Sequence, residues 1–95
     1  MTAYGMVDID IHAQALYDEY KEQAPATVAA YGGKYLARGG RTGKFEGEWL
    51  PKRLVILQFD SIEQARKWLD SPEYGRIMHQ RHGAAHSNMV AIEGV

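Results

Sequence analysis

Three histidines, His79, His82 and His86, stand close together near the end of the chain. On a helix His79 and His82 share a face, and with His86 they have the make-up of an open three-nitrogen site for a metal ion or haem. The competing reading puts them at the surface by a helix C-terminus, where a cation meets the dipole favourably. Arg38 and Arg53 flank apolar runs and carry the rigid donor fork that suits a carboxylate or an enolate. Each also has candidate ionic partners, Glu46 or Glu48 for Arg53 and Asp8 or Glu93 for Arg38. Asp8, Gln58 and Glu93 are polar residues on otherwise apolar alternating faces. If those faces line a barrel interior, the three cluster, and a carboxylate there in partly apolar surroundings has a raised pKa and serves as a proton shuttle, with Arg38 stabilising the oxyanion. Asp8 or a C-terminal histidine such as His79 is then the base. The competing reading places the three at strand ends because strand ends meet water. Tyr35 shares a strand with Arg38, and Trp49, in the stretch FEGEW, is either a loop anchor or a stacking platform.

Two Gly-Gly pairs bracket YGGKYLARGG, residues 31–40. A phosphate-cradling loop needs its glycines between a strand and the helix that follows it. Here the order is reversed, helix first and strand second, so a helix cap and a bend explain the glycines without a ligand.

The elements that must position these side chains follow from periodicity. AYGMVDID, residues 3–10, alternates Tyr4, Met6 and Asp8 against Gly5, Val7 and Ile9, which predicts a strand. Leu16, Tyr20, Ala24, Val28 and Tyr31 recur near helical spacing and predict a helix over 12–31. Pro25 should kink or break it, because proline lacks a backbone donor, and Gly32 should cap it in the left-handed conformation. Lys34–Arg38 reads as a second strand, followed by the glycine-punctuated loop GGRTGKFEGEWLPK. RLVILQF, residues 53–59, is apolar on both alternating faces, so both faces call for cover. Ser61 and Gln64 have capping-box spacing, and Ile62, Ala65, Trp68 and Leu69 form the inner stripe of a helix. Ser71-Pro72 opens another helix, with Tyr74, Ile77 and Met78 inward and Gly83 at its end. SNMVAIE, residues 87–93, is the last strand.

The resulting order, βαββαβ, is the ferredoxin-like arrangement: an α+β fold with an antiparallel four-stranded sheet and helices on one face. A chain of 95 residues forms a single domain, residues 1–95. Two helices cover one sheet face, so the other requires a partner, and a second copy closes symmetrically as a homodimer. A net charge of −1 offers no field for nucleic acid or an anionic membrane. The chain has no cysteine, which removes disulfides, thiolate metal sites and thiol nucleophiles. MTAYGMVDIDIH has neither a basic n-region nor an apolar run, so the expected location is cytoplasmic.

YGGKYLARGG, FEGEW at 45–49, PKRLVILQF at 51–59 and ARKWLDSPEY at 65–74, taken in that order, resemble the uncharacterised bacterial family called domain of unknown function 1330. That resemblance implies membership of the dimeric α/β-barrel superfamily, hence a homodimer of ferredoxin-like subunits, and it implies no catalytic residues. The superfamily includes cofactor-free monooxygenases, haem-degrading enzymes and lactone isomerases. The leading expectation is a cofactor-free homodimer with a pocket for a small apolar or aromatic molecule bearing an acidic group. Tyr35, Arg38, Gln58, Trp49 and Arg53 are its candidate binding residues, and proton transfer or oxygenation its candidate activity. The alternatives are a noncatalytic binding or interaction module, and haem or metal handling through His79 and His82.

Overall fold

The structure, a computed structural model, describes residues 1–95. The alternation of the first strand is realised as β1, Ala3–Ile11, with Ala3, Gly5, Val7 and Ile9 buried and Tyr4, Met6 and Asp8 on the opposite face. After α1, Gln14–Ala30, come β2, Lys34–Arg38, and β3, Arg53–Phe59. Two helices, α2 at Ile62–Leu69 and α3 at Pro72–Ala84, lead to β4, Ala85–Glu93. The strands form one antiparallel sheet in the order β2-β3-β1-β4, the ferredoxin-like topology expected from the element order. Pairing of β1 with β4 runs from Ala3 opposite Glu93 to Ile11 opposite Ala85, and Gly94 N–H donates to the Thr2 carbonyl at 2.7 Å.

One face of the sheet is covered. Val7, Ile9, Val55, Leu57 and Phe59 pack against Tyr17, Tyr20, Val28, Trp68, Tyr74 and Ile77 from the helices. The opposite face carries Tyr4, Met6, Leu54, Ile56, Val90 and Ile92, with no helix over it. Val90 and Ile92 are 63% and 65% exposed.

Pro25 does not break α1, contrary to the expectation from sequence: the helix is continuous over 17 residues. Proline deprives the carbonyl four residues earlier of its donor, and that carbonyl belongs to Lys21. Arg38 supplies the replacement, its Nη2 donating to Lys21 O at 2.5 Å. The C-terminus closes as predicted. Gly32 has φ 75°, and the N–H groups of Gly32 and Gly33 donate to Ala29 and Val28. A Cβ on Gly33 would lie 2.5 Å from the Phe59 ring, so this corner needs glycine for proximity as well as conformation. Gly39, φ 69°, turns the chain out of β2 after the register shift between Tyr35 and Ala37.

The capping box of α2 forms by half. Ser61 Oγ accepts from Gln64 N–H at 3.0 Å, but the Gln64 amide donates to the Tyr31 carbonyl at 2.9 Å, joining the start of α2 to the end of α1. Ser71 Oγ caps α3 by accepting from Tyr74 N–H. Gly83 does not end α3; the helix runs to Ala84, whose carbonyl accepts from both His12 and Ala13 N–H, and β4 begins at once. That clamp explains why the last strand starts two residues earlier than its alternation suggested. No helix is long and apolar enough to cross a membrane.

Candidate functional site

Asp8 is occupied on both oxygens: Oδ2 accepts from Trp49 Nε1 at 3.0 Å and Oδ1 from Lys52 N–H at 3.1 Å. It therefore fastens the 39–52 loop to the sheet, and Trp49 is a loop anchor on the open face. Gln58 pairs with Tyr4, four positions along β1 from Asp8, and Glu93 pairs with Ala3 on the helix-covered side. The expected cluster of Asp8, Gln58 and Glu93 is thus not formed, because strand register puts them at different ends and faces of the sheet.

Arg38 is exposed, bound to Lys21 O, and lies over the Tyr35 ring at 4.7 Å from its centroid. Arg53 Nε donates to Tyr17 OH at 3.1 Å, and neither arginine meets the carboxylates expected for it, since the one ion pair is Arg66–Asp70. Tyr35 borders a void of about 20 Å3 with Tyr17, Tyr20 and Arg38. Burial raises its pKa, partly opposed by the Arg38 charge.

The histidines separate. His79 is exposed on α3, whereas His82 and His86 border one pocket, and the His86 ring lies 5.3 Å from that of His12. No three His, Cys, Asp or Glu side chains converge as metal ligands. The three-histidine arrangement considered from sequence therefore does not assemble, because α3 continues past Gly83 and β4 carries His86 into the sheet, opposite Asp10.

What the fold does assemble lies between α2 and the sheet. Gly5 leaves space on the covered face of β1, and Ile62, Ala65 and Leu69 of α2 stand opposite it around a cleft of about 270 Å3. Its lining is almost wholly apolar, with Trp68 and Met89 against it. Leu69 and Met89 also border a second, more open pocket of about 450 Å3, whose polar residues are Arg81, His82, His86 and Ser87. Arg81, a residue sequence reasoning passed over, is 5% exposed. Its Nε donates to Tyr74 OH at 3.0 Å, its Nη1 donates to Ser87 Oγ, and its Nη2 lies 3.4 Å from His82 Nε2. Tyr74 OH in turn lies 2.7 Å from Tyr20 OH, and burial, reinforced by Tyr74, pushes the Tyr20 pKa up. The sequence held one signal for Arg81. Tyr74, Ile77, Arg81 and Ala84 make the buried stripe of α3, so a guanidinium occupies a core position at helical spacing.

The arrangement resembles known proteins in fold. A protein of unknown function from Rhodopseudomonas palustris superposes with a TM-score of 0.80 at 14% identity, covering 99% of this chain and 82% of the other. SnoaB, a cofactor-independent oxygenase from Streptomyces nogalater, matches with a TM-score of 0.69 at 10% identity, covering 99% of this chain and 93% of its own. A dimeric ferredoxin-like protein of unknown function from Jannaschia sp. CCS1 matches with a TM-score of 0.68 at 13% identity, covering 99% and 100%. No match is found among curated proteins. The model for domain of unknown function 1330 matches residues 2–95, nearly the whole length, and the chain belongs to that family.

Proposed function

We propose that residues 1–95 act as one cytoplasmic domain that pairs with a second copy through its open sheet face. Each subunit binds a small apolar or aromatic molecule between α2 and the sheet. The cleft carries the binding reading: about 270 Å3 of apolar space exists because Gly5 and Ala65 are small where their neighbours are large. Space of that size and lining suits the body of a one- or two-ring compound.

Pairing is supported by surface. A monomer of 10.7 kDa exposes about 5,500 Å2, whereas this chain exposes 6197 Å2. Exposed large apolar side chains include Val90 and Ile92 on the sheet face, and Phe45, Trp49 and Leu50 on the loop that Asp8 fastens. Burial of such a face against its own copy satisfies both subunits at once. The dimeric ferredoxin-like neighbour is consistent with this geometry.

Turnover by cofactor-free proton transfer or oxygenation is the catalytic form of the reading, supported at the level of fold by the oxygenase neighbour. His82, at the rim of the Arg81 pocket, is its base. Calorimetric titration with 2-naphthamide, a neutral two-ring probe, tests the cleft. Binding is expected in the native protein and lost in Gly5→Val, which fills the space; equal binding by both proteins sinks the assignment. Oxygen uptake with hydroquinones tests turnover, and rates unaltered in Gly5→Val would remove it from this cleft.

A further inference from the structure

Arg81 is buried without an acidic partner. The guanidinium keeps its charge throughout the range in which proteins fold, yet no carboxylate lies within 4.0 Å of it, since the chain's one ion pair is Arg66–Asp70 at the surface. A buried cation without an anion is costly, and the groups around it compensate only through hydrogen bonds. Of its five N–H groups, one goes to Tyr74, one to Ser87 and one faces His82, so two remain.

The pocket beside Arg81 has one sign of chemistry. Its polar residues are Arg81, His82, His86 and Ser87, each able to donate, and no acidic side chain borders it. Its apolar side is formed in part by Leu69 and Met89, which also border the cleft beneath α2. Leu69 and Met89 are thus a boundary shared by an apolar space and a polar one, which a molecule with its body in the first and its head in the second would span. Arg38, bound to the Lys21 carbonyl, and Arg53, bound to the Tyr17 hydroxyl, do not border this pocket.

We infer that Arg81 anchors the ligand's carboxylate, so that the class bound is a planar aromatic or alicyclic monocarboxylic acid. Two N–H groups of one guanidinium match the two oxygens of a carboxylate in a single plane, which a lone ammonium does not. Tyr74 and Ser87 are positioning residues: they fix the plane of the fork without touching the acid.

This assignment rests on the cleft reading and separates from it by comparing 2-naphthoate with 2-naphthamide in a buffer free of carboxylate and phosphate. In the native protein the acid should bind at least tenfold more tightly than the amide, with the ratio falling close to one in Arg81→Gln while the amide keeps its affinity. Equal affinity for acid and amide in the native protein overturns the anchor and leaves the cleft standing. Binding of neither overturns both. A ratio that survives in Arg81→Gln overturns Arg81 as its source. Should Arg81→Gln fail to fold, the Nη–H resonances of Arg81 in the native protein decide: saturating naphthoate must shift them well beyond the shift that naphthamide produces, and equal shifts with the two ligands overturn the proposal.

Discussion

The two faces of the sheet share an apolar alternation and differ in what they meet. Gly5, Val7, Leu57 and Phe59 turn toward helices that supply tyrosines and a tryptophan, and the resulting layer is closed except where small residues leave the cleft. Tyr4, Met6, Ile56, Val90 and Ile92 turn away from the helices, to the side on which Asp8 fastens the loop. Period-2 hydrophobicity therefore states how many sides of a strand want cover, and chain length decides whether one copy can provide it. On the function proposed above, the covered face governs folding and binding, while the open face governs association.

The sharpest way to break that division is to remove the centre of the covered layer. Trp68→Ala takes away a side chain that is 4% exposed, together with its hydrogen bond to Thr27, and should cost about 3–5 kcal/mol in denaturant unfolding. A loss below about 1 kcal/mol would mean that the helical layer is not the core. On the opposite face Ile56→Asp should leave unfolding of the subunit little changed and weaken association by roughly a hundredfold, about 2.7 kcal/mol, as read by sedimentation equilibrium. A native protein that sediments as a monomer at micromolar concentration contradicts this outright.

Tyr74→Phe comes next, at about 1–3 kcal/mol, because it leaves Arg81 Nε and Tyr20 OH without their partner in a buried place. Alkali probes the same contact. Tyr20 has a folded-state pKa raised by burial and then by Tyr74, so its contribution is intact below the ordinary tyrosine value of about 10 and is lost as pH rises beyond it. Unfolding monitored from pH 8 to 12 should therefore show stability falling above about pH 10, by up to about 1.4 kcal/mol per unit for each such group, and Tyr20→Phe should flatten the fall.

The smallest effect concerns the proline. Arg38→Met should cost about 1 kcal/mol by leaving Lys21 O without a donor, and that cost should shrink when Pro25→Ala restores the helical N–H. Additive costs in the double variant would show that Arg38 acts elsewhere, for instance through its stacking on Tyr35.

The proline also marks the boundary of what could be read from the sequence. Every strand and helix was legible from periodicity, as were the Gly32 cap and the Ser71-Pro72 helix start, because those signals lie within a few residues of one another. The continuity of α1 was not, since the donor that permits Pro25 sits on β2, 17 residues from the Lys21 carbonyl it serves. Asp8 had the appearance of an unattached carboxylate for a similar reason: its partners Trp49 and Lys52 come from beyond a loop of no regular period. At Arg81 the difficulty was of another kind. A charged residue in an apolar stripe was on view, but Arg38 and Arg53 flank apolar strand positions as well, and only the packing of α3 on β4 shows which guanidinium is enclosed.

The bond from Gly94 to Thr2 extends the pairing of the first and last strands to the two ends of the chain, which therefore lie side by side at one edge of the β1–β4 ladder. Order along the polymer is then nearly independent of order in space. A few added residues would close the backbone into a ring, and a cut within the exposed 39–52 loop would give a permuted chain that begins on β3 and ends on β2. Such a chain keeps every helix and strand yet loses the covalent tether behind the Asp8 fastening. Circular dichroism and sedimentation of that variant would then show whether the fold of the subunit and its state of association depend on the uncut loop.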